Sequence, residues 1–308
     1  MRKSINNRNF EAIVTESKQY MMKFVDVKND VAFRKIFGNE KKTTILLSFL
    51  NAALKLEGDH QIAEVSIVNP YQFPRIAGEK ASIIDVRAID KKGRQFVVEM
   101  QVAETDGFDK RVQYYVCRDY SMQIDRGEDY PKLKPTYFIG ILDFNYFESE
   151  GYLSHHIIVN GQTYEHKLKD IQFTFIELKK FRKKVDELDT LIEKWVFFIK
   201  HAEELEVIPK NINDRGLLEA YKDADRHSWT KEELKSYDNA SIAEQDERGR
   251  LLRAKKQGVE QGLEQGLERK TYTVIKRCYE DKMPLETIAR ITDLSLEEVA
   301  RIIEEIKK

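Results

Sequence analysis

The stretch Ser82-Ile-Ile-Asp-Val-Arg-Ala-Ile-Asp-Lys-Lys-Gly-Arg-Gln-Phe-Val-Val-Glu-Met-Gln101 decides the fold. Apolar and polar residues alternate on both sides of Lys91-Lys92-Gly93, which is the pattern of two strands joined by a tight turn. Gly93 suits the turn position that needs a positive φ. That turn sets Asp90 opposite Arg94, and the register then follows. Ala88 faces Phe96, Val86 faces Val98 and Ile84 faces Met100. One face is therefore wholly apolar, and a one-residue slip would put the two strands' apolar sets on opposite faces. On the other face Asp85 meets Glu99, with Gln101 one pleat further along. Like charges directly opposite destabilise a sheet, so the pair calls for a cation. A bound divalent ion is one answer. The plainer one is a neighbouring side chain such as Arg87 on an exposed sheet face.

Around the hairpin, Asp30-Val-Ala-Phe-Arg-Lys-Ile-Phe37 predicts a short amphipathic helix that Asn29 or Asp30 could cap and Gly38 ends. A second, apolar helix is predicted over 42–54, and a strand over Val65–Val68. A Pro-containing loop, Asn69 to Arg75, leads to the hairpin. After it a helix is predicted over 108–127, with Tyr114 toward the core. Strands follow at Tyr137–Leu142, His155–Val159 and Phe173–Leu178. A helix over 186–202 carries the stripe Leu188, Leu191, Ile192, Trp195, Phe198 and Ile199. Short helices are expected over 204–250. The tetrad Gln257-Gly-Val-Glu, Gln261-Gly-Leu-Glu, Gln265-Gly-Leu-Glu268 then lines Val259, Leu263 and Leu267 along one helical stripe and three glycines along the next. Each glycine costs a helix about 1 kcal/mol relative to alanine. Two short helices close the chain from Pro284 to Ile306, the second opened by a Ser295-to-Glu298 capping box.

Composition narrows the function classes. The chain has 308 residues, 52 Lys and Arg against 53 Asp and Glu, and a net charge of −1, so any nucleic-acid affinity must sit in a local patch. Cys117 and Cys278 are too few for a disulfide framework or a metal cluster, which points to a reducing, cytoplasmic setting. No apolar run approaches the roughly 20 residues of a membrane span, and the first 23 residues lack an apolar signal core. His155-His156 has no acids at ligand spacing and reads as an edge-strand pair.

Asp30-to-Gly38, Asp85, Glu99-Met-Gln101, the Arg111-to-Tyr115 helix, and Gly127-to-Pro135 leading into the next strand form an ordered set of pieces. In that order they resemble the PD-(D/E)XK nuclease superfamily, and within it the recombination-promoting nuclease and transposase family. The resemblance implies an α/β fold: a restriction-endonuclease-like mixed sheet flanked by helices, with a helical C-terminal extension. Together with the change of composition after about residue 203 and the tetrad pattern, it suggests an arm over 1–23, the nuclease-like domain over 24–203, a helical region over 204–256, and the tetrad helix with its terminal hairpin over 257–308.

What the resemblance implies for function is a metal-dependent DNA endonuclease, with Mg2+ as the usual ion and Mn2+ as the alternative. Its biological setting would be recombination, transposition or phage defence. Asp85 and Glu99 match the metal-binding acids. Gln101 stands where the broader superfamily has lysine; it can orient water or phosphate but carries no charge. Asp30, Arg111 and Tyr115 are further active-site candidates. Lys179, Lys180, Arg182, Lys183 and Lys184 form the densest basic run and are candidates for the DNA backbone. The rival reading is a catalytically weak or inactive DNA-binding or protein-interaction module that keeps the nuclease fold. The terminal helices read as a partner-binding or homo-oligomerising hairpin rather than a DNA reader, because the last helix is acidic.

Overall fold

The computed structural model describes residues 22–69, 71–72 and 82–306. The N-terminal arm up to residue 21, and residues 70 and 73–75 of the Pro-containing loop, lie outside them. The hairpin forms around the expected turn. Gly93 has φ 79°; its N–H donates to the Asp90 carbonyl at 3.0 Å, and the Asp90 N–H donates to the Arg94 carbonyl at 3.1 Å. The Asp90 carboxylate stiffens the turn by accepting the N–H groups of Lys92 (2.9 Å) and Arg94 (2.8 Å). Strands β4 (Val86–Asp90) and β5 (Gln95–Gln101) then pair antiparallel, with Val86 opposite Val98 and Ala88 opposite Phe96.

The rest of the sheet grows from this hairpin. Strand β1 (Val65–Val68) pairs antiparallel with β4. On the other side β5 pairs in parallel with β6 (Thr136–Leu142), β6 pairs in parallel with β8 (Ile171–Glu177), and β7 (Leu153–Ile157) closes the edge antiparallel to β8. A two-stranded piece, β2 (Tyr71–Gln72) with β3 (Ser82–Ile83), stands apart. A parallel β5–β6 pair needs a long crossover, which α3 (Phe108–Ser121) supplies.

One face of the sheet carries Val86, Ala88, Phe96, Val98, Met100, Ile139 and Ile176. Helices α1 (Asp30–Phe37), α2 (Thr43–Ala53), α4 (Leu191–His201) and α5 (Arg215–Ala224) cover it with Phe33, Phe37, Phe49, Trp195 and Tyr221. The other face is covered by α3, whose Phe108, Val112 and Val116 pack on Val97, Phe138 and Phe175. The fold is therefore the expected mixed sheet between helices.

Several expectations are corrected. Ile84 does not continue the apolar face opposite Met100. It packs with Val97 under α3, on the face opposite Val86, so the chain bends at Asp85 and the regular β4–β5 ladder begins at Val86. The helix expected over 186–202 starts only at Leu191. Thr190 and Glu193 cap it reciprocally, which leaves Leu188 buried but outside the helix. Helix α3 stops at Ser121 rather than 127; beyond it Gln123 fastens the chain to the Lys134 backbone through two bonds of 2.9 Å.

The short helices expected over 204–250 are, from Lys231 onward, the start of one 50-residue helix, α6 (Lys231–Glu280), which runs through the glycine tetrad. No proline interrupts it, and the residues flanking the tetrad are strong helix formers.

The described residues divide into two compact units between Ser241 and Ile242. In the second unit α7 (Leu285–Thr292) and α8 (Leu296–Ile306) fold against the end of α6 around Ile275, Ile288, Val299 and Ile303. Ser295 and Glu298 form the expected capping box, with the Glu298 carboxylate accepting the Ser295 N–H at 2.9 Å. No described helix is long and apolar enough to cross a membrane.

Candidate metal centre

The bend at Asp85 builds the site. Its Oδ2 accepts the Met100 N–H at 2.9 Å, so a carboxylate takes the place a neighbouring strand carbonyl would fill. Asp85 and Glu99 therefore meet through a bend rather than as a ladder pair. The other oxygen, Oδ1, accepts two donors from one guanidinium: Arg34 Nε at 3.1 Å and Arg34 Nη2 at 2.8 Å. Arg87, the cation suggested by the sequence, pairs instead with the buried Asp119 on α3.

Glu99 lies on the α3 face of β5. Its parallel neighbour in the ladder is Gly140, which is flanked in turn by Phe175. A Cβ at Gly140 would lie 2.8 Å from the Phe138 ring and 2.9 Å from the Phe175 ring, so only glycine leaves room for both rings beside Glu99. Glu99 Oε1 is buried without a hydrogen-bond partner. The carboxyl is held well above the usual carboxylate range, chiefly by burial and next by the negative charge of Asp85. Arg111, the Asp85 N–H and Arg34 pull the other way.

Asn29, not Asp30, caps α1, accepting the N–H groups of Val31 (2.9 Å) and Ala32 (3.3 Å) on its Oδ1. Asp30 is thereby free of capping duty. Its carboxylate lies 3.7 Å from Arg34, and partial desolvation followed by the Asp85 charge raises its pKa. From α3, Arg111 Nη2 donates to Gln101 Oε1 at 2.7 Å, while Gln101 Nε2 donates to the Ala103 carbonyl at 2.8 Å. Tyr115, one turn along, is half-buried; burial and then the charge of Glu99 raise its phenol pKa. The structure thus brings Asp30, Asp85, Glu99, Gln101, Arg111 and Tyr115 to one place and adds Arg34. The one sequence trace of Arg34 is its i, i+4 spacing from Asp30.

Other expected positions lie elsewhere. Tyr114 is 42% exposed rather than core, and its hydroxyl accepts a bond from Arg118 at 2.9 Å. Lys180 is turned inward: its ammonium donates to the Phe147 and Ser149 carbonyls, both at 2.6 Å, and to the buried Glu177 at 2.7 Å. Lys183 pairs with Glu193 at 2.7 Å. Lys179, Arg182 and Lys184 are exposed. His155 bonds Thr174 and His156 bonds Ser154, each at 3.0 Å.

Among the described residues no group of three or more His, Cys, Asp or Glu side chains is arranged to hold a metal ion. The donor set that does fit a hard divalent cation is a carboxylate pair: Asp85, and Glu99 with its orphaned buried oxygen.

The family model described as PD-(D/E)XK nuclease family transposase matches residues 27–254, well over half of the chain. No curated protein and no solved structure matches. The match runs past Ser241, so it takes in the whole sheet, both helical layers and the first part of α6.

Proposed function

We propose, from the premise that the chain belongs to the PD-(D/E)XK nuclease transposase family, that it is a divalent-metal-dependent endonuclease acting on DNA. The observation that carries this reading is the meeting of Asp85 with Glu99, one of whose carboxylate oxygens is buried and unpartnered. Asp85 and Glu99 would hold the ion, Mg2+ or Mn2+. A divalent ion bound there supplies charge neutralisation at the scissile phosphate and an activated water.

The chain's own groups do the rest. Gln101 holds the Arg111 guanidinium beside Glu99, so positive charge enters from α3 where the strand itself has none. Tyr115, its phenol kept protonated by burial and by Glu99, is a donor for a phosphate oxygen. Lys179, Arg182 and Lys184 remain candidates for the DNA backbone, whereas Lys180 and Lys183 already serve Glu177 and Glu193.

The test is supercoiled plasmid incubated with Mg2+, with Mn2+ and with EDTA, beside Asp85→Ala and Glu99→Gln. The expected result is metal-dependent nicking that both substitutions reduce to background; cleavage that persists in Asp85→Ala removes the site assignment. A module that binds DNA without cutting it is the second reading. It is favoured by Gln101, which has both ends of its amide engaged. Retention of DNA with no cleavage in either metal selects it.

A further inference from the structure

Arg34 is the cation bound directly to Asp85, and its geometry conflicts with the one that a metal ion needs. Two N–H donors converge on Asp85 Oδ1. Oδ2 is committed to the Met100 backbone and cannot turn away without leaving that buried N–H unpaired. Oδ1 is thus the oxygen on which a metal ion and the guanidinium compete, because two positive groups at one carboxylate oxygen repel strongly at partly buried sites. Arg34 is built to yield. Its side chain is 46% exposed and its second acidic neighbour, Asp30, is 3.7 Å away. The adjacent basic residue of α1, Lys35, is held by Glu233 at the start of α6, so Arg34 alone of the two faces the acids. A guanidinium is also the side chain best matched to phosphate, which it grips through a planar fork.

We propose that Arg34 is a displaceable counter-ion: it holds Asp85 when the carboxylate pair is metal-free, and leaves it for a DNA backbone phosphate when a divalent cation occupies Asp85 and Glu99. The proposal rests on the metal-site reading above. Its consequence is coupling. DNA gives the displaced arginine a new partner, so DNA tightens metal binding and metal tightens DNA binding by the same factor. Without DNA, Arg34 keeps the site weakly loaded, which restrains cleavage until the substrate is in place.

The experiment measures Mn2+ affinity of the full chain by electron paramagnetic resonance, with and without a cleavage-resistant phosphorothioate duplex. The proteins are wild type, Arg34→Gln, Arg34→Lys and Asp85→Asn. Without DNA, Arg34→Gln should bind Mn2+ about tenfold tighter than wild type, equivalent to about 1.4 kcal/mol. The duplex should tighten wild type and leave Arg34→Gln unchanged. Arg34→Lys keeps the charge with a simpler donor and should fall between the two, so the comparison survives if the glutamine variant folds poorly. Affinity in both Arg34 variants equal to or weaker than wild type, with Asp85→Asn still abolishing binding, overturns the counter-ion role and leaves the metal site standing. Mn2+ binding that is absent from wild type, or unaffected by Asp85→Asn, overturns the metal-site reading and this inference together.

Discussion

At the residue scale, Glu99 is where folding and function pull apart. Its carboxyl is held well above the ordinary range by burial and by Asp85, so it ionises more readily in the unfolded chain than in the folded one. Its contribution to stability is therefore complete below the ordinary glutamate value of about 4.3 and is lost as pH rises through the elevated folded value. In EDTA, Glu99→Gln should melt several degrees above wild type at neutral and alkaline pH, with the gap closing as the buffer is taken below about pH 4. Thermal melts across that range check it, and parallel curves would show that Glu99 costs the fold nothing. Adding Mn2+ should raise the wild-type melting temperature and leave Glu99→Gln where it was.

Gln101 and Arg111 act as one unit in this account, because the amide oxygen holds the guanidinium at 2.7 Å. Gln101→Leu and Arg111→Leu should each slow plasmid nicking, and the double variant should be little worse than the slower single one. Rate losses that simply add would separate the two residues. The nearness of the carboxylate pair and Gln101 is legible in the sequence because the Gly93 turn folds the two strands back on each other, whereas the bend at Asp85 is not. Nor is Arg34. Its meeting with Asp85 depends on α1 docking against the sheet, and the i, i+4 spacing from Asp30 does not encode that contact.

At the element scale, the hairpin shows which part of a register a sequence can specify. The Asp90-to-Arg94 turn and the facing pairs Ala88–Phe96 and Val86–Val98 follow from Gly93 and from side-chain alternation, and the structure has them. The alternation fails at Ile84 because two tertiary preferences outweigh it: Ile84 is buried under α3, and the Asp85 carboxylate captures the Met100 N–H. That failure is what replaces a cross-strand ladder pair of charges by one that meets at a bend. Gly140 is the second element-scale feature, since it lets β6 pass Glu99 without a side chain. Gly140→Ala would drive a methyl into the Phe138 and Phe175 rings and should cost about 1–3 kcal/mol through overpacking. A chemical denaturation curve tests it; an unchanged midpoint would mean that the rings give way freely.

At the scale of the whole molecule, the long helix α6 ties two units together in one chain. Its first turns belong to the sheet-bearing unit: the Tyr237 hydroxyl accepts the Asp26 N–H at 2.9 Å, and Asn29 donates to Ser241 at 3.1 Å. Further along, helix propensity accounts for the continuity through the tetrad, but not for its apolar stripe. Val259, Leu263 and Leu267 are 64%, 65% and 57% exposed, beside glycines where an added Cβ would have open space around it. A helix face that is apolar and where an added glycine Cβ would meet nothing beyond the helix's own neighbouring atoms is suited to close approach by another helix. We expect a second copy of the chain to cover it. Ending the chain after Ala254 keeps the whole family-matched span and the bonds to Tyr237 and Ser241, while removing all three apolar residues. The truncated protein should retain its melting transition and its metal-dependent nicking, and should elute as a monomer where the full chain elutes as a dimer in size-exclusion chromatography with light scattering. Identical masses for the two would assign the stripe to some other contact. A truncated protein that no longer melts cooperatively would mean that the distal helices stabilise the nuclease unit itself.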